Sequence, residues 1–120
     1  MNDIQLGTVE SKFADIIWSN EPVTSARLVE LSLEQLQWKK STTFTVLRRL
    51  CDKGLFQNVN GTVTSLISKS EFYAMQSEQF VENTFEGSLP AFLAAFTTRK
   101  NLKPEEVAEI RRMISEYGEE

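Results

Sequence analysis

Residues 38–54 read Trp38-Lys39-Lys40-Ser41-Thr42-Thr43-Phe44-Thr45-Val46-Leu47-Arg48-Arg49-Leu50-Cys51-Asp52-Lys53-Gly54. The stretch predicts one short helix with two unlike faces. Thr43, Val46, Leu47 and Leu50 recur at i, i+3, i+4 and i+7, the spacing of a core-facing stripe. Gly54 follows as a C′ stop. The rest of the surface carries Lys39, Lys40, Ser41, Thr42, Thr45, Arg48, Arg49 and Lys53. That is five basic residues against one acid, Asp52, in a chain whose net charge is −4. Small hydroxyls beside Lys and Arg suit a helix that enters a DNA major groove. Cations and hydroxyls bond phosphates, and short side chains let the helix approach base edges. A merely solvated helix face is the alternative.

The flanking residues favour the groove. After Gly54 come Leu55-Phe56-Gln57-Asn58-Val59, then Asn60-Gly61, then Thr62-Val63-Thr64-Ser65-Leu66-Ile67. Two β-rich runs around Asn-Gly predict a hairpin, because a type I′ turn needs positive φ at both central residues. Upstream, Val9, Phe13, Ile16 and Ile17 predict a helix from about Thr8 to Trp18, with Thr8 able to cap it. Asn20-Glu21-Pro22 breaks it, and Val23 can add a short strand. Thr24 is a good N-cap for a second helix carrying Leu28, Leu31 and Leu36. Trp18 and Trp38 could be exposed recognition residues, but core closure is the favoured reading. Helix, helix, basic helix, hairpin is the order of a winged helix, in which the third helix reads the groove and the hairpin lies along the backbone.

Beyond the hairpin the chain turns helical again. Ser68-Lys69-Ser70-Glu71 fits a capping box, opening a helix to about Thr84 with Phe72, Met75, Phe80 and Val81. Gly87-Ser88 interrupts it. A short apolar helix from Leu89 to about Lys100 presents Leu89, Phe92, Leu93 and Phe96, with Pro90 tolerated in its first turn. A last helix opens at Lys103-Pro104-Glu105-Glu106, where proline and acids favour the N-terminus. Its Val107, Ile110, Ile114 and Tyr117 form a seam. Such short helices, rich in Phe72, Tyr73, Phe80, Phe85 and Phe92, cannot cover themselves. Packing against a second copy is favoured over folding back on the hairpin. The fold class is therefore mainly α with a small β-hairpin: a winged helix-turn-helix over residues 1–69, then a helical dimerisation region over 70–120.

Bulk properties narrow the function. At 120 residues this is one domain, or one with an appendage, and 41% hydrophobic residues support a core. A chain this size buries its surface only modestly, so an oligomeric interface would help it. No run approaches a membrane span. Met1-Asn2-Asp3 is acidic and no apolar stretch follows, so no signal peptide is expected and the cytoplasm is the expected compartment. Cys51 stands alone and reads as a half-buried small residue, not a redox switch. The chain has no His. General acid–base work, a Cys–His nucleophile and a zinc cluster all lack a basis, and no Gly-rich phosphate loop is present. No enzyme, cofactor or metal is expected. The negative charge is unevenly placed: residues 1–60 hold seven basic and seven acidic side chains, residues 61–120 six and ten. An acidic body with one basic element suits binding to a defined DNA site.

The chain also resembles the BlaI/MecI/CopY family of bacterial repressors (penicillinase, methicillin-resistance and copper-homeostasis repressors). The likeness runs from about Leu6 to Tyr117. It is carried by Ile17-Trp18, Pro22-Val23-Thr24, the Trp38-to-Leu55 block, Phe85-Glu86-Gly87-Ser88-Leu89 and Leu102-Lys103-Pro104-Glu105-Glu106-Val107. The resemblance implies a homodimeric transcriptional repressor on a palindromic operator. DNA contact then falls to Lys39, Lys40, Ser41, Thr42, Phe44, Thr45, Arg48 and Arg49, with Asn60 and Thr62 at the wing tip. Leu89, Phe92, Leu93, Phe96, Val107, Ile110, Ile114 and Tyr117 would form the dimer interface. Thr42 and Thr45 match the family's groove-facing threonines. Ser41 stands where the family has Lys. Arg49 matches a family Arg that either contacts phosphate or braces the helix. Phe44 either meets a thymine methyl or packs under the wing, and packing is favoured. The uncharged wing tip predicts a weaker grip on the backbone.

Copper-responsive members carry a cysteine tail. This chain ends Tyr117-Gly118-Glu119-Glu120 without one, so copper sensing by that route is not expected. β-Lactam-responsive members are inactivated by a sensor protease, which makes such a protease a candidate partner. The corresponding bond is Ala95-Phe96, where the family has Asn before Phe. The competing reading is a winged-helix protein–protein adaptor that uses the Phe44 and Trp38 surface.

Overall fold

The computed structural model describes residues 6–118. Met1-Asn2-Asp3 and Glu119-Glu120 lie outside the described residues. The elements are α1 Thr8–Asn20, β1 Val23–Thr24, α2 Ser25–Leu36, α3 Lys40–Asp52, β2 Phe56–Val59, β3 Thr62–Ser65, α4 Lys69–Phe85, α5 Leu89–Arg99 and α6 Pro104–Tyr117. They form two compact units, one up to Gln79 and one from Phe80. The fold is that of a winged helix-turn-helix followed in sequence by further helices.

In the first unit, α1, α2 and α3 enclose a core closed by a three-stranded antiparallel sheet of order β1-β3-β2. Phe13, Ile17, Leu28, Leu47, Leu50, Leu55, Phe56 and Val63 are buried. Val23 is thus a true strand residue, opposite Val63. Thr24 caps α2, its hydroxyl accepting from the Arg27 N–H at 3.1 Å. The hairpin closes through Asn60 (φ 53°) and Gly61 (φ 83°), both left-handed as the Asn-Gly pair predicts.

Both tryptophans close the core. Trp38 packs on Phe13 with ring centroids 5.1 Å apart. Trp18 lies against Phe56 and Phe72, and its indole donates to the Ile67 carbonyl at 3.0 Å. One residue thereby joins α1, the sheet and the first turns of α4. The capping box is present: the Ser68 N–H donates to Glu71 Oε1 at 3.0 Å, and the Glu71 N–H to Ser68 Oγ at 3.1 Å.

Three local expectations are corrected. The basic helix begins at Lys40, not Trp38. Gln37 takes a left-handed conformation (φ 56°), and the Trp38 N–H donates back to the Ser32 carbonyl at 3.2 Å. Those bonds end α2 in a tight cap and leave Trp38 outside both helices, free to cover Phe13. The N-cap of α1 is Gly7, not Thr8; its N–H donates to Glu10 Oε1 at 3.2 Å. Val9 does not share the core face; it is 51% exposed, because the buried stripe of α1 starts a turn later at Phe13.

The second unit is built differently. Glu86 (φ 52°) and Gly87 (φ 81°) end α4, and Ser88 caps α5. Phe80, Phe85 and Phe92 form a ring cluster with centroids 5.7–6.0 Å apart, extended by Phe96. The α5 and α6 helices contain no fully buried residue.

Phe72 is the α4 residue sealed into the first unit's core. Phe72→Ala should lower stability by about 3–5 kcal/mol. Urea unfolding followed by tryptophan fluorescence measures this, because Trp18 stacks on that ring. A loss well under 1 kcal/mol would mean that α4 contributes nothing to this core.

Candidate nucleic-acid interface

Thr43, Val46, Leu47 and Leu50 are buried, as their spacing requires. The Thr43 hydroxyl donates to the Lys39 carbonyl at 3.2 Å, so its burial leaves no orphan donor. With about 100° per residue, the opposite face of α3 consists of Ser41, Thr45, Arg48 and Asp52. All four are exposed, as are Lys39, Lys40, Thr42 and Arg49.

The two flanks of α3 differ. On the sheet side, Phe44, Leu47, Arg48 and Cys51 line a hollow of about 250 Å³ with Asn58 of β2. Phe44 is half-buried there and packs against the core's edge. On the α1 side, Arg49 Nη1 lies 2.9 Å from Glu10 Oε2, and Lys53 Nζ lies 3.9 Å from Glu10 Oε1. Arg49 is thus held by α1, the bracing alternative. Among the described residues, Lys39, Lys40 and Arg48 make no ion pair. The Arg49 guanidinium hydrogen-bonded to Glu10 holds that carboxyl below its ordinary range, against the opposing effect of burial.

Sequence reasoning missed Glu10. Its only signal was an acid in the first turn of α1, where helix-end electrostatics explain it equally well.

The wing is short and fixed. Asn60 and Thr62 are exposed, and Thr62 pairs with Thr24 of β1. The Gly61 carbonyl accepts from the Ser25 N–H at 2.8 Å, which ties the turn to the start of α2. Glu21 secures the other end of β3, accepting from the Ser65 N–H at 2.7 Å and the Ser65 hydroxyl at 2.9 Å.

Cys51 is half-buried, and that burial, with Asp52 beside it, pushes the thiol pKa up. A thiol so placed is a poor nucleophile and a poor metal ligand. Among the described residues, no three of His, Cys, Asp and Glu gather as a metal site, and no helix is long and apolar enough to cross a membrane.

In the second unit the sequence seam divides. Val107 and Ile110 line a hollow of about 410 Å³ with Pro90, Leu93, Ala94 and Leu102. Ile114 and Tyr117, at 63% and 88% exposure, stand in the open, as does Leu89 at 56%. Phe92 and Leu93 are half-buried, and Ala95 and Phe96 are exposed on α5.

This architecture has known counterparts. The chain matches the penicillinase repressor family over residues 6–116. It is 22% identical over 115 residues to the methicillin resistance regulatory protein MecI of Staphylococcus aureus strain Mu50, covering 92% of this chain and 94% of that protein. It is 24% identical over 117 residues to the penicillinase repressor of Bacillus licheniformis, covering 94% and 91%. MecI of Mammaliicoccus sciuri is 21% identical over a similar span. These relatives are named as regulators and not as enzymes. The chain belongs to the penicillinase repressor family of transcriptional repressors.

Proposed function

We propose that this chain represses transcription as a homodimer, two copies of α3 reading the half-sites of a palindromic operator and excluding polymerase from a promoter. The observation that carries the reading is the outward face of α3. Ser41, Thr45 and Arg48 stand opposite a fully buried stripe, so the helix cannot turn them away from an approaching duplex. Lys39, Lys40 and Arg48 supply phosphate contacts. Thr42 and Thr45 are short enough to reach base edges. Phe44 shapes the sheet-side edge, Arg49 braces it from α1, and Asn60 and Thr62 border the backbone.

In this reading residues 1–69 bind DNA, with α4 lending Phe72 to their core, and residues 70–120 hold the dimer together. Leu89, Phe92, Leu93, Phe96, Val107, Ile110, Ile114 and Tyr117 form the contact. Apolar side chains such as Ile114 and Tyr117 gain the most from being covered, because they are so open in the single chain. A sensor protease acting at Ala95-Phe96 is the inactivating partner, and the compartment is the cytoplasm.

Genomic DNA retained by the tagged protein, once sequenced, should contain an inverted repeat at a promoter. Binding to that fragment should depend steeply on salt. Lys39, Lys40 and Arg48, doubled in a dimer, correspond to about six phosphate contacts, for which affinity falls roughly a thousandfold between about 50 and 200 mM salt. A flat response would favour a protein–protein adaptor.

Substitutions in α3 should sort by role. Thr45→Ala and Thr42→Ala should relax base preference by about 1–3 kcal/mol at the positions they read. Arg48→Ala and Lys40→Ala should weaken all duplexes alike and lower the salt slope by about one per protomer. Selection from a random-sequence pool measures both. An operator changed by Arg48→Ala and untouched by Thr45→Ala would reverse the assignment.

Ile110→Asp should dissociate the dimer, because an unpaired carboxylate buried in an apolar contact costs several kcal/mol. Operator affinity should fall with it, since a lone winged helix gains nothing from the second half-site. Sedimentation decides: a folded, dimeric variant that still binds the full operator would place the interface elsewhere.

A further inference from the structure

Of the five basic residues on α3 and at its two caps, two point at an acid of their own protein. Glu10 lies in the first turn of α1, far from α3 in sequence. Its side chain is only 19% exposed, against 53% for Arg49 and 32% for Lys53. The carboxylate is further fixed by the Gly7 N–H at 3.2 Å. The acid is therefore the anchored partner and the cations are the ones drawn in. A charge-assisted bond of 2.9 Å to Arg49 is close to the ideal for such a pair.

We propose that Glu10 is a specificity-determining residue that withholds Arg49 and Lys53 from DNA phosphates, so that binding rests on the cations of the reading face. The proposal depends on the DNA-binding reading above. Phosphate contacts carry no sequence information and raise affinity for every duplex. A repressor must discriminate its operator from a large excess of other DNA, so each unspecific contact removed widens the gap. Glu10 occupies both cations with an internal anion at the margin of α3, where a phosphate would otherwise be the partner. Lys39, Lys40 and Arg48, beside Ser41 and Thr45, keep their charge for the duplex.

The test is binding of the full chain to a fluorescent duplex of scrambled sequence, titrated across salt, for wild type, Glu10→Gln, Arg49→Gln and the double variant. Gln retains an oxygen for the Gly7 N–H, so the α1 cap is kept while the charge is lost. Glu10→Gln should tighten scrambled-duplex binding about tenfold at low salt and steepen the salt slope by about one to two per protomer. In the Glu10→Gln/Arg49→Gln double variant roughly half of that gain should vanish, whereas Arg49→Gln alone should change little. Thermal unfolding confirms that each variant is folded. An unchanged slope in Glu10→Gln, with a salt-dependent wild type, overturns the proposal alone. Weaker binding by Glu10→Gln also overturns it, since Glu10 would then be presenting Arg49 to phosphate. A wild type whose binding ignores salt overturns the DNA reading and this proposal together.

Discussion

The outward face of α3 is set by the stripe on its other side, which is locked in the core. Val46, Leu47 and Leu50 are buried, and each such side chain contributes about 1.5–3 kcal/mol. The three together rival the whole stability of a small domain. Turning α3 by one residue would move Arg48 and Cys51 toward the core and lift Val46 and Leu50 toward water. No ion pair at the surface could offset that, so the azimuth of Ser41, Thr45 and Arg48 is fixed by apolar contact on the far side. Thr43 joins the stripe without penalty because its hydroxyl bonds the Lys39 carbonyl. The wing is held by the same economy of parts: the Gly61 carbonyl and the Thr24–Thr62 pair bind it to the start of α2.

The two units are stabilised in unlike ways. The first closes on itself, with Trp18 bonded to the Ile67 carbonyl and stacked between Phe56 and Phe72. The second has aromatic contacts and helix caps, yet α5 and α6 bury no side chain fully. The Lys103 N–H donates to Glu106 at 2.9 Å and Ser88 Oγ accepts from Ala91 at 3.1 Å. Such caps contribute about 1 kcal/mol each. They define where helices begin, but they do not replace a core.

Much of this was legible because it is local. The i, i+3, i+4 pattern of α3, the Asn60-Gly61 turn, the Thr24 cap and the Ser68–Glu71 box each follow from a few adjacent residues, and all were found where expected. What escaped was contact between distant segments. Arg49 reads from sequence as one cation among five; only packing reveals that Glu10 holds it. The exact start of α3 is not local either: the left-handed Gln37 ends the previous helix and Trp38 packs on Phe13, so the helix opens at Lys40. The even spacing of the α6 seam hides a division: Val107 and Ile110 line a hollow with residues of α5, whereas Ile114 and Tyr117 stand exposed.

That divided seam has a thermodynamic consequence for the proposed dimer. If the second unit gains its missing burial from another copy, its folding and its association are one equilibrium, governed by mass action. Dilution would then cost twice over, loosening the second unit and separating the two reading helices. The first unit, with its own closed core, would remain folded but bind as a single half-site reader. A regulator built this way changes its grip on an operator steeply with its own concentration. Under the proposed dimer, any event that disturbs the apolar face of α5 or α6 would act on DNA binding without touching α3.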